Sequence, residues 1–332
     1  SSEHFNTKLY TGNGSTNAQT GVGFKPDFTW LKARSYADSH ALYDAVRGVT
    51  KRLQSEDTSA EATIANSLTS FNSDGFTLGS DGQANSNNDT YASWNWKANG
   101  VGSSNSDGSI NTTYTSVNTT AGFSISQWVG TEANATIGHG LGVAPSMIII
   151  KNTEKATSWT VYHKSLGATK ALYLESNGAP STHVAFFNNT EPTSSVFTVG
   201  TNDGANGNGE KNIAYCFAEK KGFSKFGSYA GNGNADGTFV YTGFKPAFVM
   251  VKRTNNTGHW QLVDNKRPGY NVNSNYLRAN KSDAEFTDIP FDIVSNGFKT
   301  RSTDTSYNGS GDSYIYMAFA EAPLVGTNNV PC

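Results

Sequence analysis

Apolar residues along the chain form short runs of about five positions, separated by stretches rich in Gly, Asn, Ser and Thr. Runs of this length suit β-strands better than helices, which need ten or more residues with a 3.6-residue period. Residues 59–68 are the best helix candidate, and they lack a sustained apolar stripe. The pattern therefore predicts an all-β protein.

One order of landmarks occurs three times. A Gly-rich turn and a proline precede a continuous apolar run that ends in lysine, the pattern of a buried central strand. The prolines are Pro26, Pro145 and Pro246, and they are 119 and 101 residues apart. The apolar runs are residues 28–32, 147–151 and 248–252. Similar spacings later in each copy indicate an internal repeat.

Further strands follow in each copy. One begins near residues 41–43, 160–162 and 261–263, and another contains Phe76, Phe197 and Phe298. A hairpin then leads through loops at 81–82, 206–209 and 308–311 to a closing aromatic strand. Five to seven strands per copy predict a two-sheet sandwich.

The closing strands carry bulky residues two positions apart, which share one face of a sheet. These pairs are Trp94 and Trp96, Tyr215 and Phe217, and Met317 and Phe319. We expect them to point into the sandwich of their own copy. Asn95, Cys216 and Ala318 would then lie on a second face that a neighbouring copy covers.

These patterns predict three tandem, jelly-roll-like β-sandwiches, in either a pseudo-threefold or a simple tandem arrangement. The copies are residues 1–100, 119–222 and 223–325, with a linker at 101–118 and a tail at 326–332. The second join is so short that the second and third copies should pack closely.

Composition excludes several classes of function. Charged residues are 16% of the chain and the net charge is −2, so no strong attraction to nucleic acid or to an anionic membrane follows. No apolar run is long enough to span a bilayer. The start of the chain lacks signal-peptide features and looks like the interior of a longer protein. The two cysteines, Cys216 and Cys332, predict a buried thiol and a tail thiol without a disulfide.

Several motifs together resemble an uncharacterised repeat domain found at the C-terminal ends of virion structural proteins, often tail-fibre-like, of marine cyanophages and related bacteriophages. The motifs are YTGNG (10–14), GFKPDF (23–28), LYDAVRG (42–48), SDGFTLG (73–79), WNWKA (94–98), GHGLGVAP (138–145), VYHKSLG (161–167) and YMAFAEAP (316–323). The resemblance covers nearly the whole chain. It implies a virion component and carries no catalytic or binding residues.

No catalytic, cofactor or metal site is predicted. The histidines form no zinc motif, and His40 and His163 align with other residue types in the other copies, which suggests tolerated surface positions. The acidic residues at 283, 285, 288 and 292 fit a solvated loop better than a glycosidase pair. Asn and Asp in the loops at 81–89 and 203–210 could bind calcium, although turn chemistry explains them.

Trp159 and Trp260 occupy matching positions and are the one suggested ligand contact, because an exposed indole can stack on a sugar ring. Buried packing is the competing interpretation. Lys32, Lys151 and Lys252 are interpreted as solvated strand ends.

We therefore expect a non-enzymatic virion structural protein, an exposed tail-fibre or decoration module at the particle surface. The alternatives are a carbohydrate- or receptor-binding fibre tip and, third, a glycan-degrading tail enzyme. Expected partners are other virion proteins and a host-surface glycan, with no nucleic acid, membrane or cofactor. A homo-oligomer is compatible with the sequence.

Overall fold

The computed structural model describes residues 3–320, and this part of the chain is nearly all β. We divide it into a first segment (residues 3–100), a second segment (101–222) and a third segment (223–320). Each segment has one large antiparallel sheet and one or more small ones.

The first segment has a four-stranded sheet in the order β1-β9-β3-β4 and small sheets β2-β8-β7 and β5-β6. Its elements are β1 (Phe5–Thr11), β2 (Asn17–Gln19), β3 (Phe28–Ala33), β4 (Ala41–Asp44), β5 (Lys51–Arg52), β6 (Ala62–Thr63), β7 (Leu68–Asn72), β8 (Gly75–Leu78), α1 (Gly82–Asn85) and β9 (Thr90–Trp96).

The second segment has a seven-stranded sheet in the order β10-β11-β18-β13-β14-β15-β16 and a small sheet β12-β17. Its elements are β10 (Tyr114–Asn118), β11 (Phe123–Val129), β12 (Ala135–Gly138), β13 (Met147–Asn152), β14 (Thr160–His163), β15 (Lys170–Tyr173), β16 (Ser181–Thr182), α2 (Val184–Phe187), β17 (Val196–Val199), α3 (Asp203–Asn206) and β18 (Lys211–Phe217).

The third segment has a five-stranded sheet in the order β19-β26-β21-β22-β23 and a small sheet β20-β25-β24. Its elements are β19 (Ser224–Ala230), β20 (Phe239–Tyr241), β21 (Pro246–Arg253), β22 (Trp260–Asp264), β23 (Leu277–Arg278), β24 (Phe291–Val294), β25 (Gly297–Thr300) and β26 (Ser313–Ala320).

The strands predicted from the apolar runs are confirmed. The runs at 28–32, 147–151 and 248–252 form β3, β13 and β21, and each pairs with a strand on both sides. Pro246 is the first residue of β21, whereas Pro26 and Pro145 lie two residues before their strands. A proline there interrupts no ladder, because it has no N–H to donate.

Two local expectations are wrong. Residues 59–68 form no helix; Ala62 and Thr63 instead pair with β5, and Leu68 enters the core from β7, because no apolar stripe would hold a helix there. The loops after β8, β17 and β25 do not close hairpins. They cross from a small sheet to a large one, and in the first two segments a single helical turn, α1 or α3, makes the crossing.

The predicted linker, 101–118, carries regular structure. Residues 114–118 form β10, which pairs with β11 at the edge of the seven-stranded sheet. Ile110 also bridges to Ile137, so the linker runs along the open edge of β12. The segment therefore contributes to the sheets of the second segment.

The large sheets face one another across a shared core. Phe5 of the first segment lies 5.3 Å from Phe319 of the third, measured between ring centroids, and Phe217 of the second lies 5.9 Å from Phe319. Trp96 packs against both Phe217 and Phe319. This central core therefore joins all three segments, while each segment also has a core between its own sheets.

The two bulky residues of each closing strand share a face, as expected. They point away from the sandwich of their own segment, however, and into the central core. All six bulky residues at positions 94, 96, 215, 217, 317 and 319 lie in the central core. Cys216 and Ala318 lie instead within the cores of the second and third segments. The expected assignment of faces is wrong, because the large side chains fill the space among three sheets and the small ones let each small sheet approach closely.

Within residues 3–320, no helix combines the length and apolar character that a membrane crossing requires. Cys216 is a buried free thiol, and burial raises its pKa. Cys332 and the predicted tail at 326–332 lie outside the described residues.

Candidate functional site

The two tryptophans proposed as ligand contacts lie inside the protein. Trp159 is 0% exposed and Trp260 is 1% exposed. The Trp159 indole Nε1 donates to the carbonyls of Gln54 and Asp57 in the first segment, at 2.9 and 3.2 Å. The Trp260 Nε1 donates to the carbonyl of Tyr173 in the second segment, at 3.0 Å. Because neither ring presents a face to solvent, both side chains serve packing between segments.

His40 takes the corresponding place in the first segment. Its Nδ1 accepts a hydrogen bond from the Trp30 indole, so the ring proton lies on Nε2. That Nε2 faces the carbonyls of Arg278 and Lys281 in the third segment, at 2.9 and 3.2 Å. Burial, helped by the positive charge of Lys32, lowers the pKa of His40 to about 3. The ring is therefore neutral in the folded protein at ordinary pH.

The hydrogen bonds of these three donors form a closed circle of contacts around the three segments. His40 of the first segment binds the third, Trp159 of the second binds the first, and Trp260 of the third binds the second. Their change of residue type therefore does not mark a surface position. The expectation for His40 is wrong, because indole and imidazole each supply the same N–H to a neighbouring backbone carbonyl.

A second circle runs in the opposite direction. At the ends of β4, β14 and β22, one polar side chain of each segment bonds to the closing strand of the next. The pairs are Asp44 with the Tyr215 hydroxyl (2.6 Å), His163 with the Tyr316 carbonyl (3.1 Å) and Asp264 with the Trp94 indole (3.1 Å). His163 is 1% exposed, so the expected surface position is wrong for it also.

The charges in this second circle are balanced locally. Asp44 accepts from the Arg47 guanidinium at 2.5 Å, and Asp264 accepts from Arg267 at 2.6 Å. In the second segment the corresponding positions are His163 and Leu166. A buried carboxylate needs a buried cation, and a neutral imidazole does not. This paired change, from Asp-x-x-Arg to His-x-x-Leu, is visible in the sequence and marks the buried positions, although comparison of single positions does not reveal it.

The lysines that end β3, β13 and β21 are also buried, so their interpretation as solvated strand ends is wrong. Lys32, Lys151 and Lys252 are at most 1% exposed. Each ammonium donates to the carbonyl of the next residue, at 2.8, 2.8 and 2.7 Å. Burial lowers the pKa of each to about 8. Neighbouring segments cover these strand ends, which a single strand pattern cannot reveal.

The Asn-rich loops are tied to the fold by internal bonds. Asn85, Asn206 and Asn308 are each 0% exposed and bond to backbone groups of their own segment. Within residues 3–320, no three or more His, Cys, Asp or Glu side chains are grouped as metal ligands. Turn chemistry accounts for these amides.

The acidic stretch predicted as a solvated loop is partly a structural element. Glu285 accepts hydrogen bonds from Arg34 of the first segment and from Arg267, at 2.9 to 3.0 Å. Although burial acts to raise it, these arginines hold the pKa of Glu285 below its usual value. Asp288 accepts from the Tyr276 hydroxyl. Glu285 is thus an anion that joins segments, whereas a glycosidase acid must hold a proton.

Concave surfaces lie where segments meet within residues 3–320. A cavity of about 310 Å³ opens between the first and second segments, and its walls carry the Lys51–Glu61 and Lys211–Glu154 ion pairs beside Tyr114. A second cavity, of about 340 Å³, opens at the join of the second and third segments. We call the second one the join pocket.

The join pocket is built from two strand ends. The chain leaves β18, forms the turn that contains Glu219 and Lys221, and enters β19 at Ser224 and Lys225. Tyr241, the last residue of β20, forms the opposite wall and is 63% exposed. Sequence analysis missed Tyr241, although aromatic residues at both outward positions of β20 were visible in the sequence.

The fold and its buried bonds define an all-β protein whose segments are joined through one core, with concave surfaces at the joins. A family model described as "Domain of unknown function (DUF7483)" matches residues 1–323. The chain belongs to that family. No curated protein matches the chain.

Proposed function

We propose that this protein is a bacteriophage virion structural protein, an exposed tail-fibre or decoration module made of three diverged copies of one jelly-roll-like sandwich. The motif resemblance at residues 10–28, 42–48 and 316–323 supports the virion assignment. The main support for a structural role is that polar residues at corresponding positions of the three segments form hydrogen bonds between segments.

The proposed repeat is supported by strand order. In each segment a seven-residue strand near the start pairs with the closing strand of the large sheet. The strand that follows it pairs, in the small sheet, with the last strand before the chain crosses back to the closing strand. The pairs are β1-β9 and β2-β8, β11-β18 and β12-β17, and β19-β26 and β20-β25. This nested pairing is the pattern of a rolled-up hairpin, as in jelly rolls.

A pseudo-threefold arrangement is supported by the two circles of contacts. In a tandem row, the first and third copies would have no reason to touch. Here His40 reaches the third segment and Asp264 reaches the first. Corresponding residues therefore make corresponding contacts around a closed ring, as in a cyclic assembly.

A structural role also agrees with the way charged and polar groups are used. Asp44, Asp264 and Glu285 have arginine partners, and the buried imidazoles donate to backbone carbonyls. Side chains committed in this way hold sheets in register and are not poised for proton transfer. We propose that the protein is not an enzyme, and that its partners are other virion proteins and a host-surface glycan.

Immunogold electron microscopy tests the proposed location. Antibodies raised against the purified chain should label intact particles of the phage that encodes it, at the tail fibres or on the capsid surface. Pre-absorption of the antibody with the purified chain is the control and should abolish the label. Antigen found in infected-cell lysate but absent from purified particles would overturn the proposal.

A further inference from the structure

The join pocket has an aromatic wall that the fold does not require. Tyr241 and Phe239 are 63% and 47% exposed, while Val240 between them is buried in the core of the third segment. Because alternate residues of a strand point to opposite faces, both rings stand on the outer face of β20. Two neighbouring exposed aromatic side chains form an apolar patch of the kind that ligand-binding grooves present.

The other segments provide an internal comparison. Val240 pairs with Phe298, just as Ile137 pairs with Phe197 and Gln19 pairs with Phe76. By this register Tyr241 corresponds to Gly138 and to Thr20. The same small sheet therefore forms without an aromatic residue at this position, and Tyr241 is specific to the third segment.

The floor of the pocket is charged. Glu219 accepts from Lys225 at 2.7 Å and from Lys164 at 2.6 Å, so both of its oxygens are engaged. Lys221 also lines the pocket and is exposed, and within residues 3–320 its ammonium has no hydrogen bond or ion pair. The pocket lining thus carries two ammonium groups, those of Lys221 and Lys225, and one carboxylate, which leaves an excess of positive charge among its described residues.

Other polar groups of the pocket are already engaged. The Ser224 hydroxyl accepts from the Lys220 backbone N–H, and the Thr242 hydroxyl donates to the Phe244 carbonyl. Gly243 adopts a φ of +84°, in the left-handed region that favours glycine, and lies next to the Tyr241 side chain. Since Lys225 is paired with Glu219, the groups left for a ligand are the phenol ring of Tyr241 and the ammonium group of Lys221.

We infer that the join pocket binds an acidic sugar, a pyranose that bears a carboxylate, on a surface polysaccharide. The Tyr241 ring would stack on the C–H face of the sugar, and Lys221 would bind its carboxylate. The volume of about 340 Å³ lies within the range of roughly 300–1,000 Å³ that small-ligand sites occupy. The inference rests on the proposed function in that it names the class of host-surface glycan.

Isothermal titration calorimetry on the purified full chain tests this, with a tetrasaccharide of hexuronic acid as the probe. We expect saturable binding to the acidic tetrasaccharide. The binding should weaken as salt is raised, because the ion pair between Lys221 and the sugar carboxylate is exposed to solvent. A neutral hexose tetrasaccharide should bind at least tenfold more weakly. Equal binding of the neutral probe would overturn the assignment of an acidic sugar.

Variants locate the site. Tyr241→Ala should weaken binding of the acidic tetrasaccharide at least tenfold, and Lys221→Ala should weaken it several-fold and reduce the dependence on salt. The matched controls are Tyr270→Ala, at a tyrosine 75% exposed outside the pocket, and Lys170→Ala, at an exposed lysine of β15. Both controls should bind as the unchanged protein does. Equal loss in a variant and its control would overturn the site.

Inorganic phosphate separates a sugar site from a simple anion site. Phosphate at the same concentration should compete weakly, because it cannot stack on Tyr241. Competition by phosphate as strong as that by the tetrasaccharide would overturn the inference. Labelling of particles by the antibody would be unaffected by any of these results, so failure of the sugar site and failure of the virion location are distinguishable.

Discussion

The Tyr215 hydroxyl donates a 2.6 Å hydrogen bond to the Asp44 carboxylate across the boundary between the second and first segments. Both residues are buried, and the Arg47 guanidinium donates to the same carboxylate oxygen and, at 3.4 Å, to the Tyr215 hydroxyl. The bond therefore joins the closing strand of one segment to an ion pair of another. In a buried setting such a charge-assisted bond is about twice as strong as a neutral one.

We expect Tyr215→Phe to lower the free energy of unfolding by about 1.5–3 kcal/mol, since it removes a bond to a charged group. Tyr10→Phe is the matched control, because the Tyr10 hydroxyl donates to an uncharged group of its own segment, the Ala84 carbonyl. That variant should cost about 0.5–1.5 kcal/mol. Urea unfolding of both variants gives the comparison, and a cost for Tyr215→Phe no larger than that of the control would contradict the role of this link.

The sequence was sufficient to predict which residues share a strand face, but it could not show what covers that face. The period of two places Tyr215 and Phe217 together and Cys216 opposite. Whether a face meets the small sheet of its own segment or a neighbouring segment depends on how three sheets come together. That arrangement follows from side-chain volume summed over many strands, which no single run contains.

The buried polar residues were misjudged for a related reason. A lysine at a strand end, such as Lys252, is usually solvated, and only the neighbouring segment that covers it changes this. Variation between copies suggests a tolerant position for His40, whose counterparts are Trp159 and Trp260. The residue type varies because imidazole and indole can supply the same N–H. A comparison of pairs of positions, such as Asp44 with Arg47, would have been more informative than single positions.

The central core predicts that one aromatic residue affects the whole molecule. Phe217 stacks on Phe123 at 4.9 Å and also contacts Trp96 and Phe319 of the other segments. Phe217→Ala should cost about 3–5 kcal/mol, because it leaves a cavity among three sheets. Asn208→Ala, in an exposed loop, should cost little. Thermal unfolding checks both, and equal small shifts in Tm would show that the Phe217 site is not tightly packed.

Acid should destabilise the protein through its buried imidazoles. Burial lowers the pKa of His163 to about 4, whereas the unfolded chain keeps a value near 6.5. The unfolded state therefore takes up a proton first as the pH falls, so the free energy of unfolding should decrease between about pH 6.5 and pH 4. His163→Gln keeps a donor for the Tyr316 carbonyl but does not titrate, so it should show a smaller decrease.

Urea unfolding of the unchanged protein and of His163→Gln at pH 7, 6, 5 and 4 measures this difference. Carboxylates affect both proteins alike, so they cancel in the comparison. Identical slopes for the unchanged protein and His163→Gln would rule out a role for the His163 ring.

The buried lysines should have the opposite effect at alkaline pH. The pKa of Lys252 is about 8 when folded and near 10.5 when unfolded, with burial as the main cause and Arg253 as a second. Below pH 8 both states carry the charge, and the folded state bears the full cost of burying it. Between pH 8 and 10.5 the folded state loses its proton first, so each such lysine contributes a rise in the free energy of unfolding with pH.

Lys252→Met should remove the Lys252 share of this rise and leave the shares of Lys32 and Lys151. It should increase stability at pH 7 by about 1–3 kcal/mol, less than the full pKa difference because the Arg253 carbonyl loses a donor. Unfolded tyrosines begin to ionise near the top of this range, and they affect the unchanged protein and the variants alike, so they cancel when the proteins are compared between pH 7 and 9.5. Lys170→Met, at an exposed position, should leave both the stability and its pH dependence nearly unchanged. Destabilisation by Lys252→Met at pH 7 that exceeds the effect of the control would contradict this prediction. The ammonium would then be a net stabilising group, whose bonds to the Arg253 and Asn177 carbonyls outweigh the cost of burial.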